Sequence, residues 1–207
     1  MSEVPRRGRL NHDEIIAAAI PSFHENGYAQ TTLADVARRL GVTDKALYYY
    51  FGSKDALYLE CLNRCANEVG AMIDSIARSE RPGLEKIKSF ARAMIRRPAL
   101  QLHSSRLPGH LVNEEAAVRF SAARRAHEEN VIGWIRDGIA DRSILAEDPE
   151  LLWDWSRGAL VCFGAGSGRD PGRDPERLEK EALAMLDRSL GANRGGKRRP
   201  ADRPVRR

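Results

Sequence analysis

The sequence has few cysteines and no long apolar stretch. Three cysteines occur among the 207 residues, an odd number that argues against a disulfide framework and fits a reducing compartment. No apolar run approaches the roughly 20 residues that a membrane-spanning helix needs, so we expect no membrane partner. The basic stretch 1–10 leads into no apolar signal segment, and we therefore expect a cytoplasmic protein.

An excess of charge is also lacking over most of the chain. The net charge is +5, but residues 191–207 carry seven basic side chains and one acidic side chain, a net +6. The other 190 residues are therefore close to neutral, at −1. We expect 191–207 to form a disordered basic tail. For the arm 1–10, contact with phosphate and a solvated terminus remain equally open.

Strand patterns and catalytic motifs are missing as well. Apolar residues recur at helical spacing throughout, which predicts an all-α protein. No nucleophile elbow, metal-ligand spacing or paired-carboxylate motif occurs, so we expect no catalytic residue, no metal and no cofactor. Cys61 and Cys65 are one helical turn apart, and we interpret them as small buried apolar residues rather than as a metal or redox site. The glycine-rich loop predicted at 164–175 lacks the Gly-Lys-Ser/Thr of a phosphate-binding loop.

The sequence does contain a helix-turn-helix pattern, in residues 31–51. Thr32 and Asp35 have the spacing of a capping box, and Gly41 stands where a left-handed residue ends a helix. Thr43 then caps a second helix, which carries Ala46 and Leu47 inward and whose outer face is polar and aromatic. The apolar face of the first helix is formed by Leu33, Val36, Ala37 and Leu40. In a helix-turn-helix, the second helix enters the DNA major groove.

Residues 11–57 resemble the DNA-binding domain of the tetracycline-repressor (TetR) family of transcription regulators. The matching residues are Ile16, Ala18, Ala19, Phe23, Gly27, Thr31, Thr32, Val36, Ala37, Gly41, Val42, Leu47, Tyr48, Tyr49, Phe51, Lys54 and Leu57. The resemblance implies a three-helix DNA-binding domain at 9–69 with its recognition unit at 32–51. A helical effector-binding and dimerisation domain would follow at 70–190, ahead of the tail 191–207.

Base reading is expected near the start of the recognition helix and on the helix that faces it. Lys45 is suited to donate to guanine. Asp44 either accepts from cytosine or is a helix-terminal charge that DNA repels, and we favour the second interpretation. The base-reading positions are Ala34, Thr43, Asp44, Lys45 and Ala46.

Contacts to the DNA backbone are expected from the aromatic cluster and one lysine. Three adjacent tyrosines cannot all face inward on one helix, and the resemblance implies that Tyr48, Tyr49 and Tyr50 touch sugar-phosphate. Lys54 lies in the first turn of the next helix, where a phosphate would gain both the ammonium and the helix N-terminus. Thr32 completes the set of predicted DNA-binding residues.

Further helices are predicted after the recognition unit. They run from Lys54 to Arg78, from Leu84 to Arg97, from an Asn113 cap to Asp141, from Asp148-Pro149 onward, and from Glu176 to Leu190. Val118 is placed on an inward face, and Leu151 and Trp155 are among the apolar positions of the helix that starts at Asp148-Pro149. The first helix is predicted to begin at Asn11, with Glu14 completing a capping box. Pro21 departs from the family pattern, and we expect a kink or local irregularity there because proline removes a helix hydrogen bond.

The body of the chain carries no motif of its own. Candidates for a ligand pocket are Phe90, Met94 and Trp134, together with Trp153 and Trp155, although such residues are more often simple core. The last two helices are expected to form the interface of a homodimer. Its candidate residues are Trp155, Phe163, Leu183 and Leu186.

The function that follows is a repressor released from a palindromic double-stranded DNA operator by an unknown small-molecule effector. One alternative is a DNA-binding activator or partner-controlled regulator that needs no ligand. A second alternative is an all-α enzyme or binding protein with a vestigial head. The sequence leaves the effector, the operator and the sign of regulation open.

Overall fold

The computed structural model describes residues 10–145, 148–167 and 174–191, with 160–167 as backbone alone. These residues form an all-α fold, as predicted, and their β-structure is limited to one isolated bridge between Ile144 and Gly191. Two 3-10 helices lie at Pro98–Ser104 and Gly109–Leu111. The α-helices are α1 (His12–Gln30), α2 (Leu33–Leu40), α3 (Asp44–Phe51), α4 (Lys54–Ala77), α5 (Gly83–Arg96), α6 (Glu115–Ala140), α7 (Pro149–Ser167) and α8 (Pro175–Leu190).

The first helices begin and end where their capping residues predict. Asn11 and Glu14 form a capping box at the start of α1, and Thr32 and Asp35 form another at α2. Gly41 ends α2 in the left-handed conformation, with φ 68°. These local hydrogen bonds fix the angle at which α3 follows α2.

The expected kink at Pro21 does not occur at that residue. Within α1, the non-helical backbone angles lie at Gly27, with φ 73° and ψ 169°. The Thr31 hydroxyl donates to the carbonyl oxygens of Ser22 and Gly27, at 3.1 and 2.8 Å. Side-chain bonds thus satisfy carbonyl groups around the glycine, and the helix bends where a residue without a side chain permits a positive φ.

Three details of the body also differ from the sequence prediction. Helix α6 begins at Glu115 rather than after an Asn113 cap, since Glu114 still turns back to donate its N–H to Leu111. The side chain of Val118 is exposed, because the helix turns Ala117 and Phe120 inward instead. Helix α7 continues to Ser167, through the start of the loop predicted at 164, and its Leu151 is exposed.

Helix α4 is the central element of the fold. It packs against α1, which precedes it in the chain, and against α6 and the first 3-10 helix, which follow it. The predicted boundary between residues 69 and 70 falls inside this helix, and the buried core continues across it. We call the unit α1–α3, with the start of α4, the head, and the remaining helices the body.

In the part of the chain that the structure describes, no helix is both long and apolar enough to cross a bilayer. The arm 1–9 and the tail from 192 onward lie outside that part, as does the side chain of Phe163. The expectations for the arm, the tail and Phe163 therefore remain predictions.

Candidate nucleic-acid interface and internal cavity

Helix α3 is held by one buried leucine and presents polar residues on its outer side. The Leu47 side chain is completely buried against the core. Thr43, Asp44 and Lys45 are exposed at the start of the helix, and Ala46 is half-buried. On the facing helix α2, Thr32 and Ala34 are exposed as well. The predicted base-reading residues are therefore all exposed or half-buried.

Asp44 and Lys45 differ in whether their charged groups already have a partner within the protein. The Asp44 carboxylate accepts the N–H of Lys45 at 2.9 Å, which supports its interpretation as a helix-terminal charge. Lys45 forms no ion pair with any residue that the structure describes, so its ammonium is available to an acceptor in DNA.

The three tyrosines divide between solvent and protein. Tyr48 is half-exposed and Tyr49 is 87% exposed, so both hydroxyl groups reach outward. Tyr50 is partly buried, and its hydroxyl donates to the carbonyl oxygen of Leu10 while its ring packs edge-on against His12. Tyr50 thus fixes the residues that precede α1, a role different from the phosphate contact expected from the sequence.

Lys54 is also more engaged inside the protein than its sequence position predicts. Its ammonium donates to the carbonyl oxygen of Tyr28 at 3.0 Å and lies 4.2 Å from the centroid of the Tyr28 ring. An ammonium has three N–H donors, and this bond uses one of them. Lys54 ties α4 to the end of α1 and still has donors for a phosphate.

A polar cluster links this corner of the head to the body. The hydroxyl of Tyr28 donates to the Asp55 carboxylate and lies 3.3 Å from Nε2 of His110. The same His110 nitrogen is 3.3 Å from Asp55. Burial and the Asp55 carboxylate raise the pKa of Tyr28 to about 12, so its hydroxyl stays protonated. His110 belongs to the second 3-10 helix, and through it the segment before α6 touches the head.

An open groove of about 640 Å³ lies beside this cluster. Residues of the head, among them His12, Phe51 and Asp55, form one wall, and Leu111 and Glu114 belong to the segment before α6. The contact between this segment and the α3–α4 corner is therefore loose.

The body contains a small cavity between α5, the first 3-10 helix, α6 and α7. Two of the ligand-pocket candidates, Phe90 and Met94, contribute to its lining, in two adjoining spaces of about 20 and 10 Å³. Trp134 packs against Phe90, with ring centroids 6.4 Å apart, but is absent from the lining of either space. The tryptophan that does line them is Trp153.

Two histidines lie at this cavity. His103 is buried, and Leu100 accepts a hydrogen bond from its Nδ1 at 3.1 Å, the protonated nitrogen in this arrangement. Burial lowers the pKa of His103 to about 4, so the ring is neutral at neutral pH. Burial also lowers the pKa of His127. A side chain at Gly70 would come within 2.9 Å of His127 Nε2, so this glycine lets the ring pack directly on α4.

Sequence reasoning missed most of the polar residues around the cavity. They are Gln101, His103, Arg124, His127 and Arg157, whereas Trp153 was a candidate from the sequence. A signal was present in the spacing, since Arg124 and His127 are three residues apart on α6, and Trp153 and Arg157 are four apart on α7. Nothing in the sequence showed that the two helices face each other there.

Cys61 and Cys65 are fully buried free thiols. Burial raises the pKa of Cys61 well above its ordinary value and that of Cys65 to about 12. Since the thiolate is the reactive form, both side chains act as small apolar residues, in line with the interpretation from the sequence.

The predicted dimer residues fall into two environments. Leu183 and Leu186 of α8 are buried in the core of their own protomer, where α8 packs on α5. The side chains of Leu183 and Leu186 are therefore not available for a dimer contact, because they are already covered within the protomer. Trp155 of α7 is 51% exposed, and Leu151 on α7 and Met185 on α8 are exposed with it.

Comparison with known proteins places the head in one family. Residues 15–61 match the model for bacterial regulatory proteins of the tetR family. The biofilm operon icaADBC HTH-type negative transcriptional regulator IcaR of Staphylococcus aureus (strain Newman) is 38% identical over 61 residues, 30% of this chain and 33% of the relative. The matched segment thus spans about a third of that curated relative.

Solved structures share the fold over nearly the whole length. The TetR family transcriptional regulator PfmR from Thermus thermophilus is 26% identical, with a TM-score of 0.62 over 84% of this chain and 94% of that chain. The ketosteroid transcriptional regulator KstR2 of Mycobacterium tuberculosis has a TM-score of 0.68 at 18% identity, over 91% and 99%. With the helix-turn-helix at its expected place, the head of this chain is a DNA-binding domain of the tetR family of bacterial regulatory proteins, and the all-α body behind it shares the fold of the solved regulators.

Proposed function

We propose that this protein is a sequence-specific DNA-binding transcription regulator that acts as a homodimer in the cytoplasm. The observation that carries the proposal is the outer surface of α3, where Lys45, Tyr48 and Tyr49 are exposed around a helix anchored by Leu47. The sign of regulation is proposed as repression, since the relative IcaR is named a negative transcriptional regulator.

Base recognition and contacts with the sugar-phosphate backbone are assigned to different residues. Lys45 and Thr43, at the exposed start of α3, are proposed to meet base edges in the major groove, with Ala34 and Ala46 beside them. The sugar-phosphate contacts are assigned to Thr32, Tyr48, Tyr49 and Lys54.

Dimerisation is assigned to the exposed apolar side chains of α7 and α8. Leu151, Trp155 and Met185 expose large apolar area, and burying such area against a second copy is favourable. A two-fold dimer would present two α3 helices to successive major grooves, about 34–36 Å apart, and would read a palindromic operator.

Release from the operator is assigned to a small molecule bound in the body cavity. The first 3-10 helix forms part of the cavity wall and also packs on α1 and α4. Residues 105–111 continue from it to His110, which touches Tyr28 and Asp55 of the head. A ligand that displaces this segment would change the tilt of the head. It shifts the equilibrium only if it binds one tilt better than the other.

The proposal is tested by selecting DNA from a random library with the wild-type protein and with two variants. Lys45→Ala should cost about 1–3 kcal/mol on the selected site and relax the preference at one base pair per half-site. Lys54→Ala should weaken binding to all sequences alike and lower the salt slope by about one ion per half-site.

Because Lys54 also bonds Tyr28, the unfolding midpoint of each variant is measured as a control. Failure of the wild-type protein to enrich any sequence at physiological salt would refute the proposed function. A changed base preference in Lys54→Ala, with an unchanged one in Lys45→Ala, would refute the proposed docking of α3.

A further inference from the structure

Polar atoms without hydrogen-bond partners are concentrated around the body cavity. In the described part of the chain six buried side-chain atoms have no partner. Five of them belong to residues that line the cavity: Gln101 Nε2, Arg124 Nε, His127 Nδ1, Trp153 Nε1 and Arg157 Nε. Gln101 and Trp153 are only 6% and 9% exposed. Buried polar groups are normally paired, and these nitrogen atoms, each with less than 1 Å² of accessible area, become available to an acceptor when the cavity opens.

The chemistry of these atoms determines what the partner must be. Amide, indole and guanidinium nitrogens only donate hydrogen bonds, and four of the five atoms are of these kinds. None of the five is a carboxylate or amide oxygen. The group that satisfies them must therefore accept several hydrogen bonds at once, as a carboxylate does with its two oxygens.

The two arginines at the cavity differ in their partners. Arg157 pairs with Asp154 at 2.9 Å, at an exposed position. Arg124 bonds the carbonyl oxygen of Ser105 at 3.4 Å and has no carboxylate within ion-pair distance among the described residues. Glu128, half-buried, is the single acidic residue in the lining. Among the described residues, Arg124 is therefore the guanidinium group at the cavity that lacks an ion-pair partner.

The rest of the wall is apolar. Phe90 and Met94 of α5, Val131 of α6 and the ring of Trp153 line the cavity next to the donors. An apolar wall beside a few polar groups that fix orientation is the usual composition of a small-molecule site.

We propose that this cavity binds an amphipathic carboxylate, with the anionic group at Arg124, Arg157, Gln101 and the Trp153 indole, and with the apolar body against Phe90 and Met94. The assignment rests on the proposed function, because it names the chemical class of the effector. It makes Arg124 and Arg157 the residues that select an anion over a neutral molecule.

The ligand-free cavity is too small for the whole molecule. A space of about 20 Å³ holds roughly one water, so the apolar body enters only when a wall moves. The first 3-10 helix is the wall with the weakest internal hydrogen bonds, since 3-10 geometry is poorer than α-helical geometry. Displacement of this 3-10 helix by the ligand would shift α1 and α4, against which it packs, and would thereby change the tilt of the head.

The test is calorimetric titration of the full-length protein with two carboxylates of different body, decanoate and 4-phenylbutyrate, below their micellar concentrations. Each is compared with its neutral alcohol, decanol or 4-phenylbutanol. At least one carboxylate should bind saturably, and its alcohol should bind at least about tenfold more weakly, the expected loss of hydrogen bonds to a charged group. Absence of saturable binding by both acids, or equal affinity of acid and alcohol, would overturn the proposal.

The variants Arg124→Gln and Arg157→Gln test the assigned residues. Each substitution should lower the affinity for the carboxylate by about tenfold or more. The matched control is Arg125→Gln, because Arg125 is an exposed neighbour on the same helix, and its affinity should stay at the wild-type value. Gln101→Leu removes the neutral donor and should lower the affinity for the acid more than the affinity for the alcohol. An equal loss in Arg125→Gln would overturn the assignment to the cavity.

The same acids are then added to the complex of wild-type protein with its selected DNA. Binding of the acid by a protein that selects no DNA would leave the site standing and refute the proposed function. Selected DNA that binds a protein without affinity for either acid would refute the site alone. Release of the DNA by the acid, lost in Arg124→Gln, supports both.

Discussion

In the head, polar side chains at the ends of helices bond to backbone groups a few residues away. Asn11, Thr32 and Ser53 each accept a backbone N–H three residues later, and the exposed polar residues of α3 point outward. In the body, five nitrogen atoms of side chains that line the cavity have no hydrogen-bond partner. Among the described residues, the buried side-chain atoms without a partner therefore all lie in the body.

The two regions also differ in how far apart the bonded residues are in the chain. The first N–H groups of α5 have no local cap; Gly83 donates to Asp141 at 3.0 Å and Leu84 to Ser143 at 3.1 Å. Hydrogen bonds from Ser143, and the N–H of Gly83, lower the pKa of Asp141. Residues beyond the far end of α6 thus cap the start of α5. The start of α5 in the body therefore depends on distant contacts, whereas the capped helix starts of the head depend on near ones.

The largest expected effect separates the core of the body from its surface. Leu186 is 7% exposed and Trp155 is 51% exposed. Leu186→Asp buries an unpaired charge and should lower the free energy of unfolding by about 4 kcal/mol or more. Trp155→Asp should leave the helical content unchanged and convert the dimer to a monomer.

Circular dichroism during urea unfolding, together with sedimentation, measures both effects. Leu151→Asp is the matched variant on the same exposed face of α7 and should behave as Trp155→Asp does. A folded, monomeric Leu186→Asp would contradict the placement of Leu186 in the core of its own protomer. A dimeric Trp155→Asp would place the interface away from α7.

The second prediction concerns pH and the interior of the body. The folded pKa of His103 is about 4, below the ordinary value of 6.5, so the unfolded chain binds the proton first. Stability should therefore be complete above pH 6.5 and fall as the pH drops from 6.5 towards 4. The full loss is about 3 kcal/mol.

Urea unfolding at several pH values between 7 and 4 measures this dependence. His103→Leu should have a lower stability at pH 7, because Leu100 loses a hydrogen bond, but a flatter pH profile than the wild type. His127 contributes a smaller slope of the same sign, because burial lowers its pKa too. An unchanged profile in His103→Leu would show that His103 is not the group that titrates.

The same contrast explains how much could be predicted from the sequence. The capping boxes at Asn11 and Thr32, the turn at Gly41 and the anchor at Leu47 were predicted, since each depends on residues within one or two turns. The all-α class followed from helical periodicity. The family resemblance supplied the assignment to regulators, which the residues alone would not have given.

What could not be predicted depends on distant contacts. The hydrogen bonds of Lys54 and Tyr50 to the backbone carbonyls of Tyr28 and Leu10 were not predicted, because the bonded residues are far apart in the chain. Their contacts with phosphate remain predictions. Leu186 and Trp155 both lie on apolar stripes, and only the packing of α8 on α5 shows which one is covered. The cavity combines side chains from four elements, and no local pattern reports that combination.

The smallest effect concerns two threonines of the head and asks whether its outward polar groups serve the fold or the DNA. Both precede a helix, but the Thr32 hydroxyl accepts the N–H of Asp35 at 3.2 Å, whereas the Thr43 side chain makes no capping bond. Thr32→Ala should therefore lower the free energy of unfolding by about 1 kcal/mol. Thr43→Ala should change it by less than about 0.5 kcal/mol.

Affinity for the selected DNA, measured beside urea unfolding, completes the comparison. Thr43→Ala should weaken DNA binding at nearly unchanged stability, because its hydroxyl is free to reach DNA. Thr32→Ser retains a capping oxygen and should restore most of the stability lost in Thr32→Ala. If Thr43→Ala destabilised the fold as much as Thr32→Ala and bound DNA normally, the polar face at the start of α3 would serve the fold, and the contrast between head and body would not hold there.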